Sequence, residues 1–577
     1  MSVKKTISRR PLGAADQSLC SAISPLLQRI YHARGIVNDT ELQKNLADLQ
    51  RPTMKGLTQA VDILAAAVQQ QQSILIVGDF DCDGATSSAL AVLALRALGL
   101  QRVDFLVPNR FKYGYGLTPE IVAEAAKSQP DIIVTVDNGI ASIDGVEAAN
   151  NLGITVVVTD HHLQGDELPN AAAIVNPNQH GCDFPSKNLA GVGVIFYVMS
   201  ALRTALRQRA WFTHAGIAEP NMADFLDLVA LGTVADVVPL DHNNRILVHQ
   251  GLLRIRAGRA RAGILALLDV AGRERHRLVA SDLGFAIGPR LNAAGRLDDM
   301  ALGINCLLTD NPDAARNMAV ELDDLNHDRK AIESSMQAEA MASLKQISLV
   351  EADMPWGLTM FDATWHQGVI GILASRIKDR YHRPVIAFAE ANETEIKGSA
   401  RSIPGLHIRD ALDAVAKRQP ELLSKFGGHA MAAGMSLKKE HYPAFAKAFD
   451  AEVRRQLTTA DLQAEVLSDG ELSAPEFTMQ LAQELREGGP WGQHFPEPLF
   501  DGEFYIVQQR IVGEKHLKLV LCLNKGGHEI IDAIAFNVDL EIWPNSCEKL
   551  HAVFKLDINE YRGRQTLQLM LDYLEPR

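Results

Sequence analysis

The stretch ILIVGDFDCDG, residues 74–84, decides the architecture. Four apolar residues in a row, three of them β-branched, read as a strand buried on both faces. The run then gives way to aspartates at alternate positions, Asp79, Asp81 and Asp83, closed by Gly84. Such carboxylates converge where the chain leaves a strand and turns, with Gly84 leading the backbone into a helix expected near Ala85. Clustered carboxylates repel one another unless a cation neutralises them. Capping a helix needs one Asp, not three.

Outward from this stretch the same pattern repeats. A helix is expected over 57–70 (LTQAVDILAAAVQQ), and strand-length apolar runs follow at 103–107 (VDFLV), 132–136 (IIVTV) and 154–158 (ITVVV). Apolar runs alternating with Ala-rich helical segments predict a parallel sheet covered on both faces, which binds ligands beyond the carboxyl ends of its strands. Those ends carry the chemistry. Asp137-Asn138-Gly139 follows IIVTV, and Asp160-His161-His162 follows ITVVV. Gly232-Thr233-Val234-Ala235-Asp236 comes after the apolar helix FLDLVALG and is expected on the same edge of the sheet. Carboxylates with two imidazoles and no thiolate ligand suit Mn²⁺ or Mg²⁺ better than structural zinc. So many anionic groups can hold two ions, which about 4 Å apart activate water and clamp a leaving phosphoryl oxygen.

Beyond this unit, residues 310–347 read as one long helix, with Asp310 or Asn311 as cap and Pro312 in its first turn. Met318, Leu322, Leu325, Ile332, Met336 and Leu344 form its narrow apolar stripe, as befits a connector between two lobes. A second α/β unit is expected over about 355–455. The tail from about 465 has short alternating strands, LKLVLCL and AVFKLDI among them, with turn signals NKGG (524–527) and YRGR (561–564), and reads as a small β-barrel or sandwich. Residues 1–50 read as mixed and mostly helical. The expected division is 1–50, 51–309, 310–347, 348–460 and 461–577.

A chain of 577 residues is too long for one core. Its net charge of −13 excludes a uniformly basic coat but not local basic patches. One such patch, or a merely solvated helical face, is Arg254, Arg256, Arg259 and Arg261 with Arg273, Arg275 and Arg277. No apolar run approaches the roughly 20 residues of a membrane span, and the basic start has no apolar segment after it to make a secretory signal. Six scattered cysteines without a CxxC predict reduced thiols in the cytoplasm. GxxxxGK[ST], a GxGxxG after a strand and GxSxG are all absent, so NTP hydrolysis, dinucleotide chemistry and acyl transfer have no support.

GDFDCDG, VDNG, DHH and GTVADVVPL, in that order and spacing, resemble the four successive motifs of the DHH phosphoesterases. PNRFKYGYGL (108–117), LAGVGVIFY (189–197), GPRLNAAGR (288–296), WHQGVIGILASR (365–376), GSARS (398–402) and FGGHAMAAG (426–434) extend the likeness to the family's single-strand DNA exonucleases, over roughly 50–577. The resemblance implies a DHH domain, a DHHA1 substrate domain and an OB-fold-like tail. It implies Asp81, Asp83, Asp137, His161 and Asp236 as metal ligands, with Asp137 bridging two ions. Smaller relatives begin the first motif with a His where Val77 stands here, so Asp79 becomes a further ligand. His162 would contact the scissile phosphate and Asp160 would orient its neighbours.

Ser399 and Arg401, with Arg110, resemble a pocket for a terminal 5′-phosphate, to which Arg offers a bidentate fork. The Gly427-Gly428-His429 turn would bring backbone N–H groups to a phosphate. Arg290, Asn292 and Arg296 would line the substrate path, with His366 and Arg376 as weaker candidates. Where many relatives have Gly between the Ser and Arg, this chain has Ala400, which disfavours positive φ. In the tail, Phe504, Tyr505, Arg510, Lys515, His516, Lys518, Tyr561, Arg562 and Arg564 supply the residue types that bind single strands, though most of the aromatics are expected in the core.

The implied activity is 5′-to-3′ hydrolysis of single-stranded DNA to 5′-mononucleotides in recombination and repair. A cleft between the lobes would admit one strand and exclude a duplex. A single-strand-binding protein and a helicase are the implied partners. Two rivals are a DHH enzyme acting on short oligoribonucleotides, cyclic dinucleotides or polyphosphate, and a non-catalytic single-strand-binding scaffold. The β-rich tail speaks against the first and the complete set of motif aspartates and histidines against the second.

Overall fold

The computed structural model describes residues 5–11, 19, 23–108, 116–347, 354–423, 425–513, 515–527, 529–538, 543, 546–561 and 563–577. The chain divides into two compact units: Leu12–Asn326 with Glu484–Glu497, and His327–Gln483 with Pro498–Arg577 and Met1–Pro11.

In the first unit, a five-stranded sheet runs in the order Val103–Leu106, Ile74–Gly78, Ile132–Val136, Thr155–Thr159, Ala173–Val175, every pair parallel. The three central strands end in residues with almost no solvent contact, as the unbroken apolar runs require. The last, short strand was not foreseen; three residues are too few for periodicity to reveal. The helix at Leu57–Gln70 lies where expected. The helix after GDFDCDG begins at Cys82 rather than near Ala85, because Asp81 itself caps it, accepting from the N–H groups of Asp83 and Gly84. Gly84 therefore lies inside the helix. It is Gly because a Cβ there would stand 2.3 Å from the Asp79 carbonyl oxygen.

The long helix spans Pro312–Ile347, and Asn311 caps it through the N–H groups of Asp313 and Ala314. Its buried stripe differs from the expected one. Leu322, Met336 and Leu344 are buried, but the stripe is completed by Ala315, Ala319 and Ala340, with Asn326, Arg329 and Glu333 between, while Met318, Leu325 and Ile332 are half-buried. Arg329 and Arg376 both bind Glu333, at 2.6 and 2.8 Å, so a buried ion pair replaces apolar contact in mid-helix.

The second unit holds a sheet ordered Lys425–Gly428, Ala432–Lys438, Glu395–Arg401, Val385–Glu390, Leu358–Asp362, in which only the last pair is parallel. Phe388, Phe445 and Phe449 fill the core beneath it. Its β-rich part comprises Phe500–Val512, His516–Cys522, Ile530–Ala535, Lys549–Tyr561 and Arg564–Pro576. Each strand pairs with two neighbours, so the pairing runs in a ring. The N-terminal segment is not mostly helical: Thr6–Arg9 is a strand, parallel to Glu465–Ser468. A four-residue strand whose partner lies more than four hundred residues away leaves no local signature. No helix among the described residues is long and apolar enough to cross a membrane.

Candidate active site

Register brings the first three motifs together. Gly78 pairs with Val136 and Val136 with Thr159, so the next residues, Asp79, Asp137 and Asp160, emerge side by side from three adjacent strands. The chain passes from Ile74–Gly78 outward to Val103–Leu106 and returns on the other side as Ile132–Val136, which opens a crevice at the switch point between the first and third of these strands. Asp236 joins from another direction. It is the residue after the helix Leu226–Ala235, not the end of a strand.

Ligand-type atoms cluster in three overlapping sets, each within 4.8 Å: Asp79, Asp81 and Asp137; Asp83, His161 and Asp236; Asp137, His161 and His162. His161 Nε2 stands 3.1 Å from Asp137 Oδ1 and 3.5 Å from Asp236 Oδ2. That nitrogen is buried and makes no hydrogen bond. A donor set of aspartates around an orphaned imidazole nitrogen fits hard divalent cations. Electrostatics point the same way. Burial, then Asp236, pushes the Asp83 carboxyl up to about 7. Burial, then Asp81, takes Asp236 to about 8, and Asp137 is raised by burial and by its aspartate neighbours. Such a cluster is at ease in its charged form only with a cation present.

The surroundings fix these side chains. Asp137 adopts a left-handed backbone, φ 62°, tolerated by Asp more readily than by most residues. Gly191 opposes it so closely that a Cβ would lie 2.6 Å from that of Asp137. The N–H groups of Gly191 and Val192, at the start of the helix Gly191–Gln208, donate to Asp83 at 2.6 and 3.0 Å. Asp160 accepts from the N–H groups of Ile140, His161 and His162 and from His162 Nδ1 at 2.8 Å. Burial opposes its charge, yet these bonds, His162 foremost, hold it below the usual carboxylate range. Burial likewise opposes a charged His162, but Asp160 takes its ring up to about 9. Asn176 and Asn178 donate to the carbonyls of His162 and His161, and Asn138 Nδ2 ties the ends of two strands through Val77 and Val136. Only NPNQ, straight after AIV, hinted at the asparagines; Gly191 and Val192 lay in a recognised motif without an assigned role.

The expected substrate residues fare unequally. Arg110 lies outside the described residues, as does Arg562. Asn292 reaches the first motif directly, its Oδ1 accepting from Cys82 N at 2.7 Å. Arg290 is engaged by Asp323 at 2.8 Å and by the Ala286 carbonyl. Arg296 is half-buried in the same helix. In the other unit, Ser399 Oγ accepts from Arg401, and both reach the start of the helix Ile370–Tyr381, within 3 Å of where a Cβ of Gly371 would be. Among the described residues no carboxylate pairs with Arg401, whose guanidinium donates to Ser399 Oγ and the Ala400 carbonyl. Ala400 is a buried strand residue paired with Ile386 and Ala433 and has no positive φ, so its Cβ strains nothing.

Gly427-Gly428-His429 is not an open turn. Both glycines belong to the strand Lys425–Gly428, and His429 N donates to Ala432 O at 2.8 Å, which takes that donor from any phosphate. His366 Nδ1 accepts from Gly368 N, and Arg376 is held by Glu333. In the tail, Phe504 is core and Lys518 lies near Asp532, whereas Arg510, Lys515 and Arg564 are exposed. Most of the arginine cluster is tied down: Arg254 and Arg256 to carbonyls, Arg261 over Phe225, Arg273 to Asp282 and Arg277 to Glu274, with Arg259 and Arg275 exposed.

The "DHH family, N-terminal domain" model matches residues 73–233, the DHHA1 domain model 353–455 and the RecJ OB domain model 468–573. The chain is 56% identical over 560 residues to the single-stranded-DNA-specific exonuclease RecJ of Escherichia coli K12, covering 97% of each. It belongs to the RecJ family. The solved structure of RecJ from Thermus thermophilus in complex with Mn²⁺ superposes with a TM-score of 0.78 at 30% identity, covering 96% of this chain and 76% of that one. The Mg²⁺ complex of the same RecJ gives 0.72 at 29% identity, over 96% and 75%. The DHH, DHHA1 and OB-fold parts expected from the motifs are those of RecJ.

Proposed function

We propose that this chain is a metal-dependent exonuclease specific for single-stranded DNA, acting 5′ to 3′ and releasing 5′-mononucleotides. The observation that carries it is the convergence of Asp79, Asp81, Asp83, Asp137, His161 and Asp236 around one point in a chain of the RecJ family. Those six residues would hold two Mn²⁺ or Mg²⁺ ions, which when bound neutralise the phosphodiester and make water a nucleophile at neutral pH. His162, steadied by Asp160, donates to a non-bridging oxygen of the scissile phosphate. Asn292 fixes the loop that presents Asp81 and Asp83. Ser399 and Arg401 bind the terminal 5′-phosphate as hydroxyl donor and guanidinium fork, which sets polarity. Arg290, released from Asp323, and Arg296 line the strand's path, and the barrel adds basic contacts through Arg510 and Lys515. Recombination and repair in the cytoplasm, beside a single-strand-binding protein and a helicase, complete the reading. The described cysteines are free thiols, in keeping with that compartment.

Incubation with Mn²⁺ and 5′-phosphorylated single-stranded DNA, RNA or duplex DNA tests this. Mononucleotides should arise from the 5′ end of the single-stranded DNA alone. Equal cleavage of RNA and duplex would refute the substrate assignment.

A further inference from the structure

Three exposed apolar side chains adjoin the Asp/His motifs in sequence or sit on an element packed against them: Leu163 follows His162, Val237 follows Asp236, and Phe285, 85% exposed, belongs to a turn that lies on the helix ending at Ala235. Phe285 sits on a π-turn, Leu283–Ile287, between the helical segments Ala280–Asp282 and Gly288–Leu297. Leu283, Ala286 and Ile287 of that turn are buried, so Phe285 points away from the core and contributes nothing to it. A π-turn inserts a residue into the helix, and such insertions gather at functional sites.

This turn is keyed to the centre on two sides. Its backbone lies against the last turn of the helix ending at Ala235: a Cβ on Gly284 would stand 3.2 Å from Val234 Cγ1, and one on Gly288 3.2 Å from the Ala235 Cβ. The next residue of that helix is Asp236. Further along the same helical run, Asn292 accepts from Cys82 N, between Asp81 and Asp83. A turn held this way fixes the backbone of Phe285 relative to the acidic loop, while the ring itself stays in solvent.

We propose that Phe285 is a stacking platform for a base of the strand whose phosphodiester lies at the Asp/His centre. This rests on the nuclease reading and deepens it. An exposed apolar ring on a turn packed against the residues just before Asp236 has no use for a bare phosphate chain, which offers no flat apolar surface. A nucleotide has both parts, an anionic link for the cations and a π-face for the ring. Every base has that face, so the platform tolerates any sequence, and paired bases of a duplex present it only at an end.

Steady-state kinetics on a 5′-phosphorylated strand, and on the same strand with abasic residues at its first several positions, test the proposal in wild type and in Phe285→Ala, Phe285→Leu and Phe285→Trp. Phe285→Ala should raise KM for the intact strand about ten-fold with kcat kept. Phe285→Leu should behave like Ala and Phe285→Trp like wild type. On the abasic strand the four proteins should converge. An unchanged KM in Phe285→Ala, or the same loss on intact and abasic strands, overturns it. If the wild type leaves the strand uncut, the nuclease reading fails; anisotropy binding of the two strands in Ca²⁺ then still decides the stacking, since only a base platform makes the Phe285→Ala defect depend on bases.

Discussion

His161 Nε2 lies 3.1 Å from Asp137 Oδ1 yet makes no hydrogen bond. A buried imidazole nitrogen aimed at carboxylates without bonding them is placed for a cation they share. His161→Ala should therefore weaken Mn²⁺ binding at least about a hundred-fold, more than loss of an outer partner costs. Titration followed by Mn²⁺ electron paramagnetic resonance measures this, and unchanged affinity would remove His161 from the centre.

Gly191 is a test of the support behind the ligands. A Cβ there would meet Asp137 at 2.6 Å and disturb the N–H pair that holds Asp83. Gly191→Ala should fold, with near-normal far-UV circular dichroism, and lose about 10–100-fold in metal affinity. A variant with wild-type affinity would show that the two aspartates do not depend on this contact.

Arg401 has Ser399 and a backbone carbonyl as its hydrogen-bond partners and no carboxylate among the described residues. Arg401→Lys keeps the charge but loses the fork. It should raise KM for 5′-phosphorylated strands about ten-fold while leaving 5′-hydroxyl strands nearly unaffected. A uniform loss on both would move Arg401 from the terminus to the general path of the strand.

Asp501 gives a pH-dependent prediction away from the centre. Burial opposes its charge, but hydrogen bonds from Arg9 and Ser468 hold its carboxyl below the ordinary range. The stability it supplies is therefore present above the unfolded Asp value of about 3.9 and is lost as pH falls through the lower folded value. Asp501→Asn should cost about 1–3 kcal/mol at neutral pH and flatten the acid limb of the unfolding profile. Because Arg9 belongs to the strand Thr6–Arg9, limited proteolysis should also release the N-terminal segment earlier.

These cases show which relationships a sequence can display. Asp79, Asp137 and Asp160 were legible because each follows a buried strand, and parallel register does the rest. The support of Asp83 was not, since Gly191 lies 108 residues away and the contact is made by backbone N–H groups that any residue carries. Gly427 and Gly428 read as a turn because glycine permits one, whereas the pairing with Gly434 and Ala433 makes them a strand. Arg290 read as a substrate residue, and its partner Asp323 comes from a helix whose polar stretch carries no address. Phe285 left no signal at all, because exposure is a property of the folded chain.

The most direct test of the metal centre is Asp137→Asn. Asn accepts the left-handed backbone that Asp137 adopts, so the substitution removes charge and keeps geometry. Measured together, Mn²⁺ binding and release of mononucleotides from single-stranded DNA should both fall at least about a hundred-fold while the melting temperature holds. Full activity with Asn at 137 would contradict the account.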